Sequence, residues 1–169
     1  MPSALKVFET RTISDSLTRP ANTTQYTAGD VISAVTTNDH FTFDEVVRER
    51  SGVILGAILN SSQNNATLKL DAELWLFRTD IAEVADNSAF APTDAEMLTC
   101  VGVIDFDIWT VGTATSGAGG NARSQVNDLN IVFTDDGSSR KLYGQLVARN
   151  AYDPVSSEVL TVDLIIGQD

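Results

Sequence analysis

The feature that most constrains this chain is a period-two alternation of apolar and polar residues. It is clearest from Thr67 to Arg78. There Leu68, Leu70, Ala72, Leu74 and Leu76 share one parity, and Lys69, Asp71, Glu73, Trp75 and Phe77 share the other. Successive side chains of a β-strand point to opposite faces, so such a run is a strand with one face in the core. The second face begins polar and ends aromatic.

The pattern recurs along the chain. In 101–109, Ile104, Phe106 and Ile108 are expected inward, with Asp105 and Asp107 outward. In 126–134, Leu129, Ile131 and Phe133 share a face. In 141–149, Leu142, Leu146 and Ala148 oppose Lys141, Tyr143, Gln145 and Arg149. In 158–166, Leu160, Val162, Leu164 and Ile166 oppose Thr161 and Asp163. Further strands are read at 4–13, 25–35, 41–48 and 52–59. One buried and one wetted face is the mark of antiparallel sheets. Roughly eight or nine such strands, separated by turn residues, imply an all-β antiparallel sandwich, with an eight-stranded jelly roll as the expected version. The predicted core is Leu70, Leu74, Leu76, Ile104, Phe106, Leu129, Ile131, Leu146, Val162 and Leu164.

Turn chemistry punctuates the runs at Ala28-Gly29-Asp30, at Asp135-Asp136-Gly137-Ser138 and at Asp153-Pro154. The Asp-Gly turn predicts that 126–134 and 141–149 form a hairpin. Thr93-Asp94-Ala95-Glu96 follows Pro92 and has the form of a capping box, which predicts one short helix of about two turns, ending near Cys100. The stretch 79–91 reads as loop or irregular helix, and 112–123 as a loop of small residues. There is no internal repeat and no linker, and 169 residues fit a single β-sandwich domain, 1–169.

Eleven Lys and Arg stand against 23 Asp and Glu, for a net charge of −12. Such a chain repels phosphate backbones and anionic bilayers, so neither nucleic acid nor membrane is expected as a partner. The acidity serves solubility, or it serves a partner with a basic surface. Cys100 is the only cysteine, which excludes an intrachain disulfide. The residues after Met1 lack the apolar stretch of a secretory signal, and no run of about 18 apolar residues offers a membrane span. Synthesis in a cytoplasm is expected, and the glycosylation-like tripeptides at Asn22, Asn60 and Asn65 are then accidental.

Residues with chemical potential each have a simpler explanation. His40 is the only histidine and lies in a polar, turn-like segment that matches no nucleophile motif, so a solvated loop residue is expected. No catalytic role is expected for His40 or Cys100. Asp105 and Asp107, with Glu73, could bind Ca²⁺ or act as acid and base on a sugar, but acidic residues on a wetted strand face are the simpler reading. Asp135-Asp136-Gly137 lacks the alternating ligands of an EF-hand and reads as a turn. Gly112–Arg123 lacks the Gly-Lys-Ser/Thr of a phosphate cradle. No catalytic residue, cofactor or metal is assigned. Trp75, Phe77, Trp109 and Tyr143 all fall opposite the predicted core; they either anchor a glycan or protein partner or lie beneath a loop or the short helix.

The strings Leu142-Tyr143-Gly144-Gln145-Leu146-Val147-Ala148-Arg149-Asn150-Ala151-Tyr152 and Val159-Leu160-Thr161-Val162-Asp163-Leu164, with Gly29-Asp30-Val31-Ile32, resemble small virion structural proteins of tailed bacteriophages, the capsid decoration and cement proteins in particular. The resemblance implies an acidic jelly roll that is not an enzyme. It would be made in the host cytoplasm, reside in the virion, bind a major capsid protein or another virion protein, and form a trimer or dimer. The alternative is a jelly-roll module that binds carbohydrate or belongs to a tail or head fibre. The expected interface residues are Leu5, Val7, Phe8, Trp75, Trp109 and Tyr143. In the segment 1–13, apolar residues on both faces of a first strand suggest contacts beyond its own sandwich.

Overall fold

The alternating runs assemble into two antiparallel sheets in the computed structural model, which describes residues 9–35, 39–46, 51–63, 70–112, 121–134 and 140–168. In chain order the elements are β1 (Glu9–Thr18), β2 (Val31–Ile32), β3 (Phe41–Phe43), β4 (Ser51–Ser61), β5 (Ala72–Phe77), α1 (Asp94–Met97), β6 (Cys100–Phe106), β7 (Trp109–Val111), β8 (Ala122–Thr134), β9 (Leu142–Ala148) and β10 (Val159–Gln168). One sheet has the order β1-β10-β4-β8-β7. The other runs β2-β9-β5-β6, with β3 also paired to β9. Thus β2 and β3 are two pieces of one line along β9, at Leu146–Val147 and at Leu142–Gly144. The all-β sandwich matches the expectation from sequence; the helix forms where the capping box predicts it but spans one turn, Asp94–Met97, rather than about two.

Between the sheets lies the core. Leu74, Ile104, Leu146, Leu164, Phe41, Phe43 and Phe106 are completely buried there. Leu70, Leu76 and Val162 join them as predicted. Leu129 and Ile131 do not: they pack against the core but stay half exposed. The cause is a bulge in β8. Asp128 and Asn130 take positive φ, and the register against β4 passes from Ile54↔Ile131 directly to Gly56↔Asn127. The two extra residues on β8 break the alternation and bend this part of the strand. There Ile131 meets Gly102 of β6, whose missing Cβ makes room for it.

Two other expectations are corrected. β8 and β9 do not form a hairpin, because they lie in different sheets; the expected turn at Asp135–Ser138 lies outside the described residues. Ile108 is not inward but 75% exposed. β6 ends at Phe106, and residues 107–108 leave the strand before β7 begins, so the alternation restarts. Trp109 consequently sits on the inner side, in register with buried Ser124 and packed on the core, not opposite it.

Edge strands are closed by the chain itself on one side. The β1 edge is tied toward β3: Thr42 N–H donates to Asp15 Oδ2 at 2.7 Å, Arg11 Nη1 to the Glu45 carbonyl at 3.0 Å, and Val35 N–H to the Thr18 carbonyl at 3.0 Å. The free side of β2 takes up the segment after β5, through Val31 N–H to Ser88 O at 2.8 Å and Asn87 N–H to Val31 O at 2.9 Å. Such cover removes a template for uncontrolled strand pairing.

Candidate functional site: an acidic covered face and a buried polar network

The two sheets differ in what lies on their outer faces. Phe77, Val31, Val147 and Ile81 are buried but stand outside the inter-sheet core. They form a second apolar layer between the β2-β9-β5-β6 sheet and the segment 78–93. The Phe90 ring lies 5.5 Å from that of Trp75, and Phe90 N–H donates to Gly29 O at 2.9 Å. Sequence alternation therefore places Phe77 on the correct face, but that face is roofed rather than wetted.

The roof is anchored by α1. Thr93 and Glu96 form the reciprocal capping box that their spacing predicts. Glu96 also reaches back to accept from Ala82 N–H at 2.8 Å and Thr93 N–H at 2.7 Å. These backbone donors, that of Ala82 first, hold its carboxyl below the usual carboxylate range. The roof, α1 and the strands next to them carry Asp80, Glu83, Asp94, Glu96, Asp105 and Asp107, against the basic Arg78 on the roof and Lys141 and Arg149 at the ends of β9. One side of the sandwich is thus strongly acidic.

The expected interface residues are distributed unevenly. Trp75 is half buried beneath Phe90 and donates its indole N–H to Glu73 Oε2 at 3.0 Å. Trp109, on the inner side of β7, donates to the Leu70 carbonyl at 2.5 Å. Tyr143 is half buried and meets His40 edge-on at 5.8 Å. Leu5, Val7 and Phe8 lie outside the described residues. Residues 9–13 pair with β10 of their own sheet, from Glu9↔Gln168 to Ile13↔Leu164.

His40 is not a solvated loop residue. It is only 7% exposed, because the line of β3 brings it against Tyr143 on the roofed face, and its Nε2 lies 3.2 Å from Asp80 Oδ1. Asp105 stands in register opposite Glu73, as their outward parity suggests, but Glu73 is already engaged by Arg149 Nη1 at 2.8 Å as well as by Trp75. Asp107 lies beyond the end of β6. Among the described residues, no three His, Cys, Asp or Glu side chains converge as metal ligands. The Cys100 thiol is half buried, which pushes its pKa up and away from thiolate chemistry.

Sequence reasoning missed a buried polar network at one end of the sandwich. Arg19, just past β1, is 1% exposed. It donates from Nε to the Tyr26 hydroxyl and pairs through Nη2 with Asp86 Oδ2 at 3.4 Å. The Tyr26 hydroxyl donates to Asp86 Oδ1 at 2.6 Å. The Tyr26 ring stacks on that of Tyr152, with centroids 6.2 Å apart. The Tyr152 hydroxyl contacts Glu158 and Gln63, and Ser61 donates to Glu158 Oε1 at 2.5 Å. Desolvation raises the pKa of Tyr26, Tyr152 and Glu158. These residues come from the ends of β1, β4, β9 and β10 and from the roof, so the network ties the loops of that end to one another. They carry no local motif; only the topology assembles them. Satisfied polar groups this deep fix one arrangement of the loops.

No protein-family model and no curated protein matches the chain. Among solved structures it is similar to a chain of the cyanophage Pam1 capsid asymmetric unit, with 13% identity over 100% of this chain and 91% of that one, and a TM-score of 0.40.

Proposed function

We propose that this chain is a structural virion protein that binds and stabilises the capsid of a tailed bacteriophage, as a cement or decoration protein, and is not an enzyme. The observation that carries the reading is the one-sided acidity of the roofed sheet. A rigid acidic face suits attachment to a basic protein surface, where complementary potential speeds encounter and sets orientation. The rest of the molecule fits a small part of a shell. Residues 1–169 act as one β-sandwich domain, with the strand edges toward β3 and beside β2 tied down and the loops of one end locked by the Arg19 and Glu158 network. The strand orders β1-β10-β4-β8 and β2/β3-β9-β5-β6 place the first strand beside the last and pass the chain repeatedly from one sheet to the other, with only β5 and β6 of these consecutive in one sheet, which we read as a jelly roll. The short β7 extends the first of these sheets. The resemblance of the 142–152 and 159–164 strings to decoration proteins points the same way.

The glycan-binding alternative is less well supported, since Trp109 faces inward and Trp75 is half covered by Phe90. A tail or head-fibre module shares the same face chemistry and is separated by location.

Immunogold labelling of purified virions, with a mass-spectrometric inventory of the particles, tests the proposal. Label on the head is expected, together with salt-sensitive rebinding to stripped heads that Glu83→Lys and Asp94→Lys weaken. Absence from the particle would overturn the virion reading, and label on the tail alone would overturn the capsid role.

A further inference from the structure

The outer face of the β1-β10-β4-β8-β7 sheet contrasts with the roofed one. Nothing among the described residues covers it. On β1 it presents Thr10, Thr12, Ser14, Ser16 and Thr18, every one exposed. Toward its centre lie half-buried Ile58 and Ile165, while half-buried Val53 and the 71% exposed Val132 lie near one end of it. Its charges are few: Asp163 on β10 and Arg123 on β8, with Asp128 in the β8 bulge.

We propose that this face is the contact between two copies of the chain. Charge favours this face. Two molecules of net charge −12 repel unless they meet where the acid is not, and this face is where it is not. Size favours it too. At about 4.8 Å between strands and about 3.3 Å per residue, the face projects on the order of 700 Å², near the ~800 Å² that each partner contributes to a standard interface. The face is also self-complementary. Asp163 and Arg123 lie on the two strands that flank β4, in register with Ile58 and Asn60 respectively. A two-fold axis lying in the plane of the face and crossing β4 obliquely near Leu59 sets Asp163 of each copy against Arg123 of the other. This is the reciprocal contact that a closed dimer requires. Short hydroxyl side chains around an aliphatic centre leave the surface flat and lose little rotamer freedom on contact.

The inference does not rest on the virion reading, because the purified chain suffices to test it. Sedimentation velocity is expected to show a concentration-dependent dimer. Arg123→Asp sets carboxylates against each other across the interface and weakens association by about tenfold or more. The swap Arg123→Asp with Asp163→Arg restores it. Thermal melts confirm that each variant is folded, and Val132→Lys, at a largely exposed position, gives a second disruption should Asp163→Arg fail to fold. A wild type that stays monomeric at the highest attainable concentration would overturn the proposal. So would a dimer indifferent to both Arg123→Asp and Val132→Lys. A monomer that dimerises only after residues 1–8 are removed would assign the face to the chain's own N-terminal arm and overturn it as well.

Discussion

The Tyr152 hydroxyl lies 2.9 and 2.8 Å from the two carboxylate oxygens of Glu158, in a site where Glu158 is fully buried and Tyr152 is 2% exposed. Burial is the dominant influence on Glu158 and raises its pKa above the ordinary value of 4.5; Ser61, Tyr152 and Arg19 offset part of that rise. The folded protein therefore holds a proton on Glu158 over a range in which the unfolded chain has lost it. Where the folded state binds more protons, stability falls as pH rises. The Glu158 contribution is thus greatest below about pH 4.5 and declines as pH climbs through the raised folded value. Glu96 runs the other way: its lowered pKa gives stability that is lost as pH falls. Comparing thermal melts of the wild type and Glu158→Gln across pH isolates the Glu158 term. The variant is expected to lose less stability than the wild type between about pH 4.5 and neutrality. Parallel curves would refute this account of the site.

Core position, rather than residue type, should decide the cost of truncating a leucine. Leu74 is fully buried on β5, between β6 and β9, whereas Leu129 sits half exposed in the β8 bulge. Leu74→Ala removes a side chain whose neighbours in both sheets are fixed, and is expected to cost about 2–5 kcal/mol. Leu129→Ala opens a site that solvent already reaches, and should cost roughly 1 kcal/mol or less, in the range of ordinary mutations. Chemical denaturation of the two variants measures both. Equal costs would mean that the bulge is as well packed as the centre of the sheet.

These two leucines also mark how far the sequence reaches. Period two on β5, β9 and β10 places Leu74, Leu146, Val162 and Leu164 correctly, because those strands are paired on both sides and the register shifts of β5 and β10 fall beyond these residues, after Leu76 and after Ile165. The Thr93–Glu96 capping box is legible because both partners lie within one turn. Period two fails where the backbone leaves the strand. Residues 107–108 reset the phase ahead of Trp109, and the positive φ at Asp128 and Asn130 is invisible to hydrophobic pattern. An Asp-Gly turn signals a change of direction but not whether the next strand returns to the same sheet, so it does not tell a hairpin of β8 and β9 from a passage between sheets. The roof over Phe77 and the Arg19–Asp86 pair depend on contacts between distant segments, and no local string encodes them.

Two glycines test the close approaches of β4 and β6 to the β8 bulge. A Cβ on Gly56 would lie 2.9 Å from the Val126 carbonyl oxygen, an atom fixed in the β4–β8 ladder. A Cβ on Gly102 would lie 2.9 Å from Ile131 Cγ2 and 3.1 Å from its Cδ1, the ends of a side chain. Both Gly→Ala changes overpack, at about 1–3 kcal/mol where the neighbour cannot yield. Only the second can be relieved by trimming a neighbour. Combined with Ile131→Ala, Gly102→Ala is expected to show a favourable coupling of about 1 kcal/mol, as residues in direct contact do. Gly56→Ala combined with Ile165→Ala should be additive to within about 0.5 kcal/mol, since Ile165 Cδ1 sits at an ordinary 3.6 Å and the obstruction is backbone. Double-mutant cycles by urea denaturation read both couplings. An additive Gly102–Ile131 pair would show that β6 and β8 do not meet as closely as the fold requires.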